Sequence, residues 1–142
     1  IESVDWVNIL PVTPDGQFVM IEQYRHGIRR VTLEIPGGLI DPTDPDPAVA
    51  ARREMVEETG YDTADVRPLG VVSPNPAVQT NQCHSFVAYG AVPVGQQELD
   101  AAEEIRVRLV DPTDVPRLVK DGRIAHALVI AAFYLHANGE ER

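Results

Sequence analysis

Short apolar runs rich in β-branched residues, separated by turn residues, make up most of the chain, and helical spacing takes over in its middle and near its end. Residues 4–13 form the first such run and end at Pro14-Asp15-Gly16, a turn signal. Residues 18–24 follow as a second strand, so the two predict a hairpin. Residues 30–35 read as a third strand, stopped by Pro36-Gly37-Gly38. IDPTDPDP, residues 40–47, sets prolines among acids and predicts a loop. Asp46 can then cap a helix, Pro47 suits its first position and Gly60 its end, which predicts a helix over 47–59. Residues 66–72, 84–92 and 105–110 read as strands, 114–120 as a short helix and 124–137 as an apolar helix too short to span a bilayer. Strands and helices mixed in this order imply an α/β or α+β sandwich on a mixed sheet.

Composition narrows the class. A chain of 142 residues suits one domain, 1–142, able to bury roughly 68–70% of its unfolded surface. The net charge of −10 disfavours nucleic acid and anionic membrane as partners unless a cation intervenes. The one cysteine, Cys83, makes no internal disulfide and fits a reducing, cytoplasmic setting, where it reads as a small apolar strand residue. No signal peptide, membrane span or lipidation motif is visible, and the start at Ile1 rather than Met leaves room for a preceding segment.

The chemistry concentrates in REMVEETG, residues 53–60. Glu54, Glu57 and Glu58 stand at i, i+3 and i+4 and project from one helix face, with Cβ atoms roughly 5–6 Å apart. Ala48, Val49, Met55 and Val56 fall on the other side and are expected to pack on a sheet. The carboxylates repel one another and face the negative end of the helix dipole, while Arg52 and Arg53 lie nearer the positive end. The helix is charged backwards. A solvated acidic face is the bland explanation, but a hard divalent cation such as Mg²⁺ removes both penalties, and Arg53 can hold Glu57 four residues on.

Residues 38–61 resemble the Nudix box, G, five residues, E, seven residues, R-E-U-x-E-E-x-G-U with U apolar. Arg53, Glu54, Met55, Glu57, Glu58, Gly60 and Tyr61 match its second half. The first half departs: Asp44 stands where the family has its first, mostly structural, glutamate, with one extra residue before Arg53. The resemblance implies a Nudix-type α/β/α sandwich with a mixed sheet, a pyrophosphohydrolase that needs Mg²⁺, with Mn²⁺ able to substitute. It places Glu54, Glu58 and Glu57 on the metal with the carbonyl of Gly37, and gives Glu57 and Arg53 catalytic roles.

Outside the box, IEQYR (21–25), LEIPGG (33–38), EEIRV (103–107) and Pro76 are similar to the ADP-ribose pyrophosphatase branch. That likeness implies hydrolysis of ADP-ribose to AMP and ribose 5-phosphate, or of another nucleotide sugar such as GDP-mannose or ADP-glucose. It further implies Arg25, Glu34 and Gly38 on substrate, a small-molecule partner, and a homodimer. Its catalytic base is a loop glutamate, for which Glu103 aligns best among Glu98, Asp100, Glu103 and Glu104. SPNPAVQTNQCH, residues 73–84, is a loop able to read base or sugar through Asn75, Gln79, Asn81 and His84, and it lacks the glycine common in ADP-ribose enzymes. His126 and His136 read as helix residues. A non-catalytic binding module is disfavoured because no box glutamate is lost, and an RNA-decapping enzyme because the chain is acidic.

Overall fold

In the computed structural model, which describes residues 4–101 and 104–139, the first strand, β1 (Trp6–Val12), turns its side chains alternately to two cores. Strands β2 (Phe18–Arg25), β3 (Arg30–Glu34) and β4 (Gly37–Leu39) precede helix α1 (Pro47–Thr59). Then come β5 (Tyr61–Asp62), β6 (Val66–Val72), β7 (Cys83–Tyr89), β8 (Val92–Pro93) and β9 (Ile105–Val110). A 3₁₀ turn at Pro112–Asp114 leads into α2 (Val115–Lys120), and α3 (Ala127–Ala137) follows.

The main sheet runs β3-β2-β1-β7-β6, with β4 on β1 and β9 on β2, and it is mixed because β1 and β7 are parallel while the other pairs are antiparallel. Val7 and Ile9 join Ala50, Ala51 and Met55 of α1 in one core. Leu10 joins Val129, Ala132 and Phe133 of α3 in the other. The period of two in a strand thus puts one helix on each face, which is the expected α/β/α sandwich. Each fully buried aliphatic side chain contributes about 1.5–3 kcal/mol.

Several local expectations change. The β1–β2 hairpin pairs only beside its turn, at Val12↔Phe18. Ile9 N donates to Pro36 O and Thr13 N to Gln17 O on that edge, and Pro11 between them has no N–H to continue the ladder. The Gly37-Gly38 turn is instead β4, paired with Asn8 and Val7. A Cβ on Gly37 would stand 2.5 Å from Val7 O, so this close approach of two backbones requires glycine. The expected strand 84–92 is β7, a turn with Gly90 at φ +76°, and then β8. The last helix starts at Ala127, with His126 as its N-cap rather than inside it, whereas His136 is helical as expected. On α1, Ala50 and Ala51 are buried while Val49 is exposed.

Candidate active site

Helix α1 occupies the predicted span because both ends are capped locally. Asp46 accepts from Val49 N at 3.0 Å, and Gly60, at φ +73°, returns its N–H to Val56 O. No cation sits in the last turn. The orphan carbonyls there are met by the next loop: Glu98 N donates to Glu57 O and Val94 N to Gly60 O, each at 2.8 Å. Gln97 Nε2 donates to Glu58 O at 2.6 Å. This stitching fixes the loop that carries Glu98 and Asp100 against the acidic end of the helix.

The backward charges find partners outside the helix. Arg52 forks onto Asp62 at 2.7 and 3.0 Å. Arg53 forks onto Asp44 at 3.1 and 2.8 Å, and those bonds raise its pKa further above the usual guanidinium range. Asp44, the departure from the box, therefore still closes its loop onto the helix. The contacts of Arg53 Nη1 with Glu54 and Glu57 are both 3.5 Å, at the weak limit of hydrogen bonding.

A cavity of about 550 Å³ opens along this face. Among the described residues its wall holds six carboxylates (Glu34, Glu54, Glu57, Glu58, Glu98 and Asp100) against two guanidiniums, Arg25 and Arg53. Glu58 is buried and accepts from Gly37 N at 2.8 Å, which ties the helix to β4. A Cβ on Gly38 would collide with the Glu54 carboxylate, so glycine here leaves that carboxylate its space.

At the far wall, Arg25 Nε and Nη2 donate to Glu34 at 2.8 and 2.6 Å, and Thr32 Oγ1 donates to Glu34 Oε2 at 2.5 Å. Burial pushes the Glu34 carboxyl up, yet these bonds outweigh it and hold the group below the ordinary carboxylate range. The Glu34 hydrogen bonds, with a smaller contribution from the Glu58 charge, raise the Arg25 pKa. Arg25 Nη1 makes no hydrogen bond among the described residues.

The structure thus brings Arg25, Glu34, Gly37, Gly38, Arg53, Glu54, Glu57 and Glu58 to one cavity. Glu103 lies outside the described residues. Of its alternatives, Glu98 and Asp100 line the cavity, while Glu104 is exposed and absent from the described lining. For Mg²⁺ the donors fit in kind, three carboxylates and a backbone carbonyl being hard oxygen ligands. As the side chains stand, no three acidic, histidine or cysteine groups among the described residues converge on one point.

Lining residues that the sequence did not single out include Trp6, Asn8 and Leu128. Asn8 bridges the layers, donating to Leu128 O at 3.2 Å and accepting from Ser85 Oγ at 2.6 Å. An asparagine inside an otherwise apolar strand was the available signal. Of the expected loop readers, Asn75 is exposed, with its carbonyl turned back to Val78 and Gln79, and His84 Nε2 lies 3.0 Å from Asp5. Cys83 is buried and its thiol is pushed up to about 11 by that burial, so it stays a neutral apolar group as expected.

The fold and the site together are an α/β/α sandwich whose helix α1 lays carboxylates along a cavity. Residues 4–133 match the NUDIX domain, and the chain belongs to the Nudix family, whose members generally use a divalent metal. It is 30% identical over 128 residues to an ADP-ribose pyrophosphatase of Bacillus subtilis, spanning 86% of this chain and 69% of that protein. It is 40% identical over 117 residues to a CMP-5'-(N-acetyl-N-hydroxy-3-aminopropyl)phosphonate hydrolase of Streptomyces rubellomurinus, spanning 79% of this chain and 54% of that protein. Among solved structures an ADP compounds hydrolase superposes with a TM-score of 0.83 at 26% identity, covering 94% of this chain and 70% of the other. The chain is a Nudix hydrolase of the ADP-ribose pyrophosphatase branch.

Proposed function

We propose that the chain, acting as one Nudix domain, hydrolyses the pyrophosphate bond of a nucleoside diphosphate sugar in a Mg²⁺-dependent reaction, with ADP-ribose giving AMP and ribose 5-phosphate. The observation that carries this reading is the cavity wall of six carboxylates against two guanidiniums. A pyrophosphate is itself an anion, and a like-charge contact at 4 Å costs about 1 kcal/mol in water and about 4 kcal/mol near a protein surface. Such a wall holds this substrate only with cations between them. Glu54, Glu57, Glu58 and the Gly37 carbonyl would hold them; a divalent ion there supplies charge neutralisation and a more acidic water.

The protein's own groups do the rest. Arg25, aimed by Glu34, takes a phosphate or ribose oxygen, a task suited to a guanidinium fork. Arg53, anchored by Asp44, positions Glu57 and Glu54. Gly38 admits the Glu54 carboxylate, and substrate, where a side chain would block both. Glu103 takes the proton of the attacking water as the water oxygen bonds to phosphorus and the bridging P–O bond breaks. Among the described residues between β8 and β9, Glu98 and Asp100 are carboxylates that stand in the wall.

A second reading, another nucleotide-linked substrate, is favoured by the relative that acts on a CMP-linked phosphonate and by a 73–84 loop without glycine. The same proposal takes the enzyme as a cytoplasmic homodimer, which light scattering in solution checks. A panel of ADP-ribose, GDP-mannose, ADP-glucose, UDP-glucose and a CMP-linked phosphonate with Mg²⁺, compared by kcat/KM, tests the substrate. ADP-ribose should lead. If no pyrophosphate in the panel is cleaved, the reading is wrong.

A further inference from the structure

We propose that a second cavity beside the first binds the base of the nucleotide, recognised by Trp6, Gln79 and Asn81; this rests on the reading that the substrate is a nucleotide. The second cavity, of about 490 Å³, shares Trp6, His126 and Leu128 with the first and is otherwise bounded by the 73–84 loop and the start of α3. The two differ in chemistry. In its described lining the first carries eight groups of formal charge, whereas the second has no carboxylate, ammonium or guanidinium in its own. A ligand that is anionic at one end and a neutral heterocycle at the other matches that division.

Trp6 begins β1 and is 38% exposed, so an indole edge or face is open to a ring beside it. His126 Nδ1 accepts the Leu128 amide at 3.1 Å as the N-cap of α3, so the neutral ring keeps its hydrogen on Nε2 and offers a donor. Asn81 is 4% exposed; its amide nitrogen reaches Val4 O at 3.5 Å, and Oδ1 has no partner among the described residues. Gln79 is partly exposed in the same lining, and a carboxamide is the side chain that pairs with an adenine edge. Hypoxanthine, with a carbonyl in place of the adenine amino group, does not present that edge.

Trp6 is the only tryptophan, so its emission reports occupancy without any turnover. The full chain is titrated in Mg²⁺ with AMP, IMP and ribose 5-phosphate, excited at the red edge of the indole band. AMP should quench saturably, ribose 5-phosphate should not, and IMP should need roughly tenfold more ligand. Asn81→Ala and Gln79→Ala should each move the AMP midpoint by roughly fivefold or more, Gln79 being partly exposed and its variant the safer one to fold. Trp6→Leu should raise KM for ADP-ribose roughly tenfold with kcat kept. Equal quenching by ribose 5-phosphate and AMP, or an AMP midpoint unmoved in both amide variants, overturns the subsite. Saturable AMP quenching in an enzyme that cleaves none of the substrate panel upholds the subsite and sinks the hydrolase reading. Cleavage of ADP-ribose and its hypoxanthine analogue with equal kcat/KM does the reverse.

Discussion

Arg25→Ala tests whether the fork at the end of β2 holds the fold as well as the substrate. Glu34 has a side chain 4% exposed and takes two bonds from Arg25 and one from Thr32. Removing the guanidinium leaves a buried carboxylate with the Thr32 hydroxyl alone. Breaking a fully buried pair costs about 3–5 kcal/mol. Arg25 is 43% exposed, however, so water replaces part of what is lost, and the discounted cost is about 2 kcal/mol. For a chain of this length that lowers Tm by about 6 °C.

The pH dependence has a definite sign. The folded pKa of Glu34 is lowered, so the group stabilises the fold above its unfolded pKa of about 4.3 and loses that contribution as pH falls through the folded value. In Arg25→Ala, burial is opposed only by the Thr32 bond and the weaker influence of His126, and the carboxylate penalises the fold near neutrality until it is protonated. The Tm gap between the two proteins is therefore widest at about pH 7 and narrows toward about pH 4.5. Thermal unfolding by circular dichroism reads it. Adding Glu34→Gln to Arg25→Ala should cost less than the two single losses combined, because the charge left unpaired is gone. A gap of under about 1 °C at neutrality, or one that fails to narrow in acid, refutes the reasoning.

Activity should vanish in excess chelator and return with Mg²⁺ or Mn²⁺, and Glu58→Gln should lose roughly 10³-fold or more in kcat while keeping its fold; full turnover in EDTA would end the metal reading. Glu57→Gln should leave stability without metal unchanged or raise it by about 0.2–0.5 kcal/mol, and lower it in saturating Mg²⁺, as urea unfolding in both conditions will show. A variant weakened equally in both would make Glu57 a structural residue. Glu103→Gln should lower kcat by roughly 10²–10⁴ with KM little changed, and the loss should shrink as pH rises. Should Glu98→Gln or Asp100→Asn show the large loss instead, the base is the carboxylate already in the cavity wall.

Helix α1 was legible to the residue because its signals are local: Asp46 and Pro47 at one end, Gly60 at the other, and glutamates whose spacing alone puts them on one face. The nonlocal parts were not. Gly37-Gly38 carries the composition of a turn, and only the backbone of β1 lying against it makes it a strand. The parallel β1–β7 pair joins segments whose contacts, such as Ser85 with Asn8, are 77 positions apart, and no local pattern encodes that register. Trp6, Asn81 and His126 meet for the same reason, from three segments that read separately as strand, loop and helix. Likeness suggested both Arg25 and Glu34 as substrate residues, but their pairing with each other emerges only when β2 and β3 pair at Arg25↔Arg30 and Ile21↔Glu34.

The backward charge of α1 acquires a physical sense from its surroundings. Carboxylates at the negative end of a helix dipole cost about 0.3–1 kcal/mol each at an exposed surface. The usual remedy, a lysine or arginine in the last turn, is absent, and the orphan carbonyls are met by neutral donors, the amides of Glu98 and Val94 and the Gln97 side chain. Arg52 is drawn away to Asp62, and Arg53 spends its short bonds on Asp44. The helix end is therefore satisfied in hydrogen bonds by neutral donors and not by a basic side chain of its own last turn. Had a basic side chain capped it, the carboxylates would be neutralised from within and the cavity would have little use for a cation. On the proposed reading, the stability forgone at this helix end returns when the ion binds. That is why the sign of the Glu57→Gln effect, rather than its size, separates a metal site from a merely acidic surface.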